Sequence, residues 1–281
     1  MNIANALERC TAELAKNDVP DARLDAELLV AFAAGRDKTY LIAHPEAELT
    51  TEQENRLAYL MLRRASREPL QYVLGRQEFY GLAFEVTPDV LIPRPETEIL
   101  VERAIHFLAK TSSPRFCEIG VGSGCISVSI LNELIVASAV ACDISAKALE
   151  VARRNAERNR VADRLKLILS DVLDSVPEEK FDAILSNPPY VPELDLATLQ
   201  PEVRDHEPTI ALTSGPDGLN VIKHLIDIAP IYLKTGGLLL VEMGFNQSGR
   251  VRKLIDDGLW TDIEFLPDLQ GIPRILFALK R

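Results

Sequence analysis

The stretch Phe181-Asp182-Ala183-Ile184-Leu185-Ser186-Asn187-Pro188-Pro189-Tyr190 governs how the rest of the chain reads. A short apolar run that stops at a double proline predicts a buried strand ending abruptly at the edge of a sheet. Neither proline donates a ladder hydrogen bond, and each restricts φ while pushing its predecessor toward extended geometry. The chain is therefore stiff where Asn187 leaves the strand. The Asn187 carboxamide oxygen and the Pro188 carbonyl can converge on one point, with the Tyr190 ring beside them. Two acceptors and an aromatic face suit a planar –NH2 group, because each acceptor takes one N–H and leaves the nitrogen lone pair directed along one line. The plainer alternative is a proline-rich loop with Asn187 as a turn residue. The motif is short, and its place after a strand is what gives it weight.

Outward from this stretch, strand-like and helix-like segments alternate from Pro114 to the end. Strands are predicted at 115–119, 137–143, 165–169, 181–186, 237–243, 263–266 and 275–279, and helices at 126–134, 146–159, 219–233 and 248–257. Such alternation predicts an α/β fold with a doubly wound, mostly parallel seven-stranded sheet covered on both faces. Nothing between Tyr190 and Gly218 looks like a long regular element, and a connection of that length is usually a lid or a binding surface.

The N-terminal part reads differently. Residues 1–70 predict a small helical domain, with Ile3, Leu7, Cys10 and Leu14 on one stripe. A second helix is expected to start at Asp21 as cap, to bury Leu24, Leu28, Leu29 and Phe32, and to close at Gly35. Thr51 with Glu54 predicts a capping box for a third. Arg63, Arg64 and Arg67 near its C-terminus read as a solvated helix end that suits the dipole. Residues 71–90 predict a β-hairpin linker, with strands at 71–75 and 82–86, and residues 91–281 the catalytic domain.

The first predicted strand of that domain runs into Glu118-Ile119-Gly120-Val121-Gly122-Ser123-Gly124, a glycine loop opening a helix. Asp143 ends the second strand, where an acid can accept from both ribose hydroxyls of a nucleoside. Asp171 and Val172 follow the third. A dinucleotide site prefers Gly-x-Gly-x-x-Gly facing a pyrophosphate, whereas the spacing here is Gly-x-Gly-x-Gly with Glu118 just ahead of it. That acid would repel a pyrophosphate and attract the ammonium and sulfonium of S-adenosylmethionine, which is the expected cofactor.

Composition sets the remaining bounds. The 281 residues are 47% hydrophobic and 26% charged, as in ordinary soluble globular proteins. No run approaches the roughly 20 apolar residues of a membrane helix, and the start Met1-Asn2-Ile3-Ala4-Asn5 lacks a signal-peptide pattern, so a cytoplasmic protein is expected. Cys10, Cys117, Cys125 and Cys142 form no Cys-x-x-Cys pair and read as reduced thiols. The four histidines show no ligand spacing, so no metal site is expected. A net charge of −11 disfavours direct nucleic-acid binding and favours a basic protein partner. An amino-methyltransferase acting on adenine or cytosine is the alternative reading, with a flipped base stacked on Tyr190. A noncatalytic nucleoside-binding module is a third.

Taken jointly, these residues resemble the bacterial peptide chain release factor glutamine methyltransferases. The resemblance is carried by Gln71 to Gly75, Glu78-Phe79-Tyr80-Gly81, Leu91 to Glu98, Glu118 to Gly124, Asp143-Ile144-Ser145 and Asn187-Pro188-Pro189-Tyr190-Val191-Pro192. It continues through Glu207-Pro208, Gly215 to Leu219 and Asp268-Leu269-Gln270-Gly271. It implies methylation of the amide nitrogen of the glutamine in the Gly-Gly-Gln motif of release factors, with the N-terminal helical domain docking the substrate. It further implies that Glu118 and Gly120, Val121, Gly122, Ser123 and Gly124 surround the methionine part of S-adenosylmethionine, that Asp143 holds the ribose, and that Asp171 and Val172 border the adenine. Asn187 and Pro188 would orient the substrate amide, with Pro189 and Tyr190 packed beside it. Glu118 stands where the family usually has Asp, Val172 where an aromatic residue is frequent, and Gln270 and Pro273 depart from the usual C-terminal pattern.

Overall fold

The computed structural model describes residues 1–281. By contact density the chain forms two units, Met1–Arg76 together with Gln200–His206, and Gln77–Leu199 together with Glu207–Arg281.

The first unit is helical. Helices α1 (Ile3–Lys16), α2 (Ala22–Ala34), α3 (Lys38–Ala43) and α4 (Thr51–Ala65) enclose a core that includes Ile3, Cys10, Leu14, Leu29, Val30, Leu57 and Leu60. The short α5 (Leu70–Leu74) follows Pro69 and stops at Gly75, which takes the left-handed conformation. The expected strand at 71–75 is therefore helical. Five apolar-rich residues do not distinguish the two periods, and here the proline start and glycine stop decide it.

Local chemistry corrects several other expectations in this unit. The α4 cap is Thr50, one residue earlier than expected, and its box partner is Gln53 rather than Glu54. Asp21 precedes α2 but makes no side-chain cap hydrogen bond. Leu24 is 48% exposed, because α2 turns Asp25, Ala26, Leu29 and Val30 inward instead. Asp25 can be buried because it accepts from Arg64 Nε at 2.7 Å.

The arginines at the end of α4 are not a solvated helix end. Arg64 is 5% exposed, and its Nη2 also donates to Glu202 Oε1 at 3.1 Å. Arg67 binds the same carboxylate through two hydrogen bonds of 2.7 Å, while Arg63 Nε donates to Glu68 at 2.8 Å. Burial pushes the Glu202 carboxyl up, but the Arg67 and Arg64 guanidiniums outweigh it and hold the group at about 2. The partners lie 135 residues or more apart in sequence, beyond the reach of a helix-end pattern.

The second unit opens with a hairpin of β1 (Arg76–Phe79) and β2 (Leu82–Glu85). Its two turn residues, Tyr80 and Gly81, both have positive φ, which matches the twist of a tight hairpin. After α6 (Thr97–Leu108) the chain alternates as expected: β3 (Arg115–Ile119), α7 (Cys125–Glu133), β4 (Ser138–Asp143), α8 (Ala146–Arg158), β5 (Leu165–Leu169) and β6 (Phe181–Ser186). The long connection then carries only short pieces, namely turns of 3-10 helix at Glu193–Thr198 and Thr209–Ala211 around α9 (Pro201–His206). It is followed by α10 (Asn220–Tyr232), β7 (Leu233–Glu242), α11 (Ser248–Arg252), β8 (Trp260–Pro267) and β9 (Pro273–Lys280). The predicted helix at 248–257 thus stops five residues early. At the β8–β9 turn Asp268 accepts from the Gln270 and Ile272 amides and from Arg274.

The seven-stranded sheet runs β5-β4-β3-β6-β7-β9-β8, with antiparallel pairing only at β7–β9 and β9–β8. Successive residues face opposite sides. Phe116, Ala139, Ala183, Leu185 and Leu238 pack toward α6, α7 and α8, whereas Cys117, Val140, Ile184, Leu239 and Val241 pack toward α10 and α11. Two covered faces explain why the strands read as near-continuous apolar runs. No helix is long and apolar enough to cross a membrane.

Candidate active site

β3 and β6 are neighbours in the sheet, but β4 and β5 lie on one side of them and β7 on the other. Their connections diverge, and the crevice at the carboxyl ends of such a pair is where α/β sheets bind ligands. Ile119 pairs with Ser186, so Gly120 and Asn187 leave the sheet side by side. A Cβ at Gly120 would stand 4.0 Å from the Asn187 main-chain oxygen. A cavity of about 240 Å³ opens there.

The structure brings most of the predicted site residues to that cavity. Glu118, Gly120, Val121, Gly122 and Ser123 line it, as do Asp143, Asp171 and Val172 from the next two strand ends, and Asn187 and Pro189 from β6. Gly124, Pro188 and Tyr190 do not line it. Gly124 instead lets α7 approach α8, since a Cβ there would sit 3.3 Å from Ala152. Pro188 is buried, and Tyr190 turns its hydroxyl to Glu242 Oε1 at 3.4 Å.

The glycine loop is held at both ends. The Gly120 and Val121 amides donate to the Cys142 carbonyl at 2.9 and 3.0 Å. Asn155, fully buried on α8, donates to the Ser123 and Glu85 carbonyls at 2.9 Å and accepts from the Glu85 amide at 2.7 Å. It ties the loop to the hairpin. A lone Asn on a helix face carried no signal of this in the sequence.

Three of the four acids that line the cavity differ in character. Glu118 is 1% exposed and accepts from the Ser127 amide at 2.9 Å and from the Ser127 hydroxyl. Burial pushes its carboxyl up to about 8, against the pull of those two donors. Asp143 accepts from the Gly122 amide and the Ser145 amide, each at 2.9 Å, and burial raises it despite these bonds. Asp171 is exposed at the rim. Val172 next to it has φ of 45°, a strained value for a β-branched residue, and its carbonyl accepts from Cys142 Sγ.

Asn187 is the centre of a network the sequence did not reveal. Its Nδ2 donates to Thr97 Oγ1 at 3.0 Å, and Thr97 Oγ1 donates to Glu242 Oε2 at 2.7 Å. Glu242, at the end of β7, is 2% exposed, and burial pushes it up to about 7. Burial likewise keeps Tyr190 a neutral phenol. The Asn187 Oδ1 is buried and has no hydrogen-bond partner. A second clamp joins Arg94 Nη2 to Glu207 Oε1 at 2.5 Å, and Glu207 Oε2 also accepts from the Ile92 amide at 3.3 Å. Thr97 and Arg94 lie in the Ile92–Thr97 motif and Glu207 in Glu207-Pro208. Those motifs were visible in the sequence, but the pairing between them was not.

These residues fit S-adenosylmethionine. A side-chain-free glycine cradle accommodates a thin methionine chain, Glu118 offers an acid to its ammonium, and Asp143 stands where ribose hydroxyls would donate. The Asn187 oxygen is left as a buried acceptor without a partner. An unmade hydrogen bond on a buried acceptor costs about 1–3 kcal/mol, so a ligand N–H placed there is favoured.

Residues 5–75 match the family model of the PrmC N-terminal domain and residues 96–201 that of the methyltransferase small domain. The release factor glutamine methyltransferase of Koribacter versatilis is 38% identical over 281 residues, covering 100% of this chain and 99% of its own. That of Geobacter sulfurreducens is 40% identical over 274 residues, covering 98% and 95%. Among solved structures, a methyltransferase from Pyrococcus furiosus superposes with a TM-score of 0.53 at 19% identity, covering 81% of this chain and 98% of that one. The hMettl16 catalytic domain, solved with an RNA hairpin, reaches 0.58 at 17% identity, covering 79% and 81%. Identities this low speak for the fold alone. The full-length match at 38–40% identity does more: this chain belongs to the release factor glutamine methyltransferase family.

Proposed function

We propose that this enzyme transfers a methyl group from S-adenosylmethionine to the amide nitrogen of the glutamine in the Gly-Gly-Gln motif of peptide chain release factors, in the cytoplasm. The observation that carries the reading is the buried, unpartnered Asn187 Oδ1 at the edge of the cavity, in a chain 38–40% identical to release factor glutamine methyltransferases.

S-adenosylmethionine supplies an electrophilic methyl carbon on a sulfonium sulfur. The chain's own residues hold and aim the nucleophile. Asn187 Oδ1 accepts one N–H of the substrate amide and the Pro188 carbonyl the other, so the nitrogen lone pair points toward the glycine loop. An amide nitrogen is a weak nucleophile, and fixing it at near-attack distance removes an orientational cost of several kcal/mol. Positive charge grows on the nitrogen during transfer. The two oxygens then meet it more strongly than they met the neutral amide, which is differential stabilisation. Tyr190 stays un-ionised, its hydroxyl donating to Glu242. No general base is required, since the proton leaves to solvent after transfer.

The N-terminal helical domain and the connection between Tyr190 and Gly218 each offer contacts to the protein substrate. A recombinant release factor incubated with enzyme and labelled S-adenosylmethionine should gain one methyl mass on the Gly-Gly-Gln peptide. An unmodified peptide refutes the proposal. Equal labelling of DNA or RNA in the same assay would favour the base-methylating alternative.

A further inference from the structure

An Asn carboxamide has nearly the same shape in its two orientations, yet one presents an acceptor and the other a donor. Only the oxygen-outward orientation of Asn187 can receive a substrate N–H. Outward nitrogen would set –NH2 against –NH2. Something must choose between them.

Thr97 Oγ1 lies 2.7 Å from Glu242 Oε2 and 3.0 Å from Asn187 Nδ2. A hydroxyl carries one proton. Ionised, Glu242 can only accept, so that proton goes to Glu242, and the Thr97 lone pair facing Asn187 is satisfied only by an N–H. Thr97 and Glu242 are 1% and 2% exposed, so bulk water offers neither an alternative partner. The second oxygen of Glu242 receives the Tyr190 hydroxyl. Arg274 and Glu96 are the charged groups that act on Glu242, the arginine favouring the carboxylate and the glutamate opposing it. We propose that Glu242, acting through the Thr97 hydroxyl, is a positioning residue that keeps the Asn187 carboxamide oxygen turned toward the cavity.

The inference rests on the amide-methyl-transfer reading and deepens it. Replacing Glu242 by Met keeps the length of the side chain but removes the acceptor, so the Thr97 proton is free to turn to Asn187 and invert the amide. Replacing Thr97 by Val removes the proton altogether and leaves Asn187 unbiased. The two changes therefore act on one bond polarity and do not add.

The test compares wild type, T97S, T97V, E242M and T97V/E242M in release-factor methylation, with S-adenosylhomocysteine titration as a check that each cofactor site is intact. T97S, which keeps the hydroxyl, retains most of the wild-type kcat/KM. T97V and E242M each lose roughly 10–100-fold in kcat/KM for the release factor with unchanged cofactor affinity. The double variant is no worse than E242M alone. Wild-type kcat/KM in T97V or in E242M overturns the proposal, as does a double variant whose loss is the product of the single losses. If E242M fails to bind cofactor, the contrast between T97S and T97V decides. A wild-type enzyme that leaves the release factor unmodified sinks the underlying reading instead, so the two failures are distinct.

Discussion

Gly218 closes the long connection at φ of 72°, and a Cβ built there would lie 2.1 Å from the Tyr190 carbonyl oxygen and 2.7 Å from its carbon. Gly218→Ala is therefore a direct push on the Asn-Pro-Pro-Tyr turn. The left-handed conformation costs an L-residue about 1–2 kcal/mol. The clash adds to this, because the Tyr190 carbonyl accepts from Gln247 Nε2 at 2.9 Å and must give way. Straining that bond costs about 1–3 kcal/mol, so the expected loss is about 2–5 kcal/mol. Trp260, the single tryptophan, is 1% exposed within the catalytic unit, and its fluorescence during urea unfolding reports the change. Two prolines separate Tyr190 from Asn187, so a displaced carbonyl transmits to the carboxamide. A misplacement on the order of 1 Å costs up to about 100-fold in rate. A Gly218→Ala protein with wild-type stability and wild-type turnover would refute the link between this turn and the site.

Other expectations follow from named groups. Asn187→Ala removes the acceptor that meets the substrate nitrogen, and kcat should fall about 100–1000-fold with little change in S-adenosylhomocysteine affinity; steady-state kinetics with calorimetry checks this. Glu118 sits at about 8 in the free enzyme because it is buried, and its charged form is the one that attracts the cofactor ammonium. Cofactor affinity should therefore weaken as pH falls from 8, by up to about tenfold per pH unit. Glu118→Gln should flatten that profile, and a pH-independent wild-type affinity between about 6 and 8 contradicts the assignment. Glu202 is held at about 2, below its ordinary 4.5. Its contribution to the helical unit is complete above 4.5 and is lost as pH falls toward 2. Glu202→Gln should cost about 2–3 kcal/mol at neutral pH, read as faster amide exchange in α4, and should remove that part of the acid sensitivity.

The sheet was legible because burial on both faces leaves strands such as Phe181–Ser186 and Arg115–Ile119 mostly apolar, broken by few polar residues such as Asp182 and Glu118. The glycine loop and the acids at 118, 143 and 171 were legible because each lies at or just after the end of a strand. Elements of marginal length were not. Leu70–Leu74 carries too few residues to show a period, and the α4 cap slipped by one residue because Thr50, Thr51, Gln53 and Glu54 offer two overlapping boxes. Long-range pairing left no local trace either. Arg64 with Asp25 and Glu202, Arg94 with Glu207, and Thr97 with Glu242 are ordinary surface types one at a time. Only the fold makes them partners.

Residues 200–206 belong by contact to the helical unit, although the chain on either side belongs to the catalytic one. The polypeptide thus crosses between the units three times rather than once. An engineer who trims the gene at codon 76 would strand Glu202 without Arg64 and Arg67 in one fragment, and in the other leave Arg67 without Glu202 and Arg64 with Asp25 alone. Swapping the helical unit between relatives for new substrate preference therefore calls for exchanging the seven-residue Gln200–His206 insert along with it.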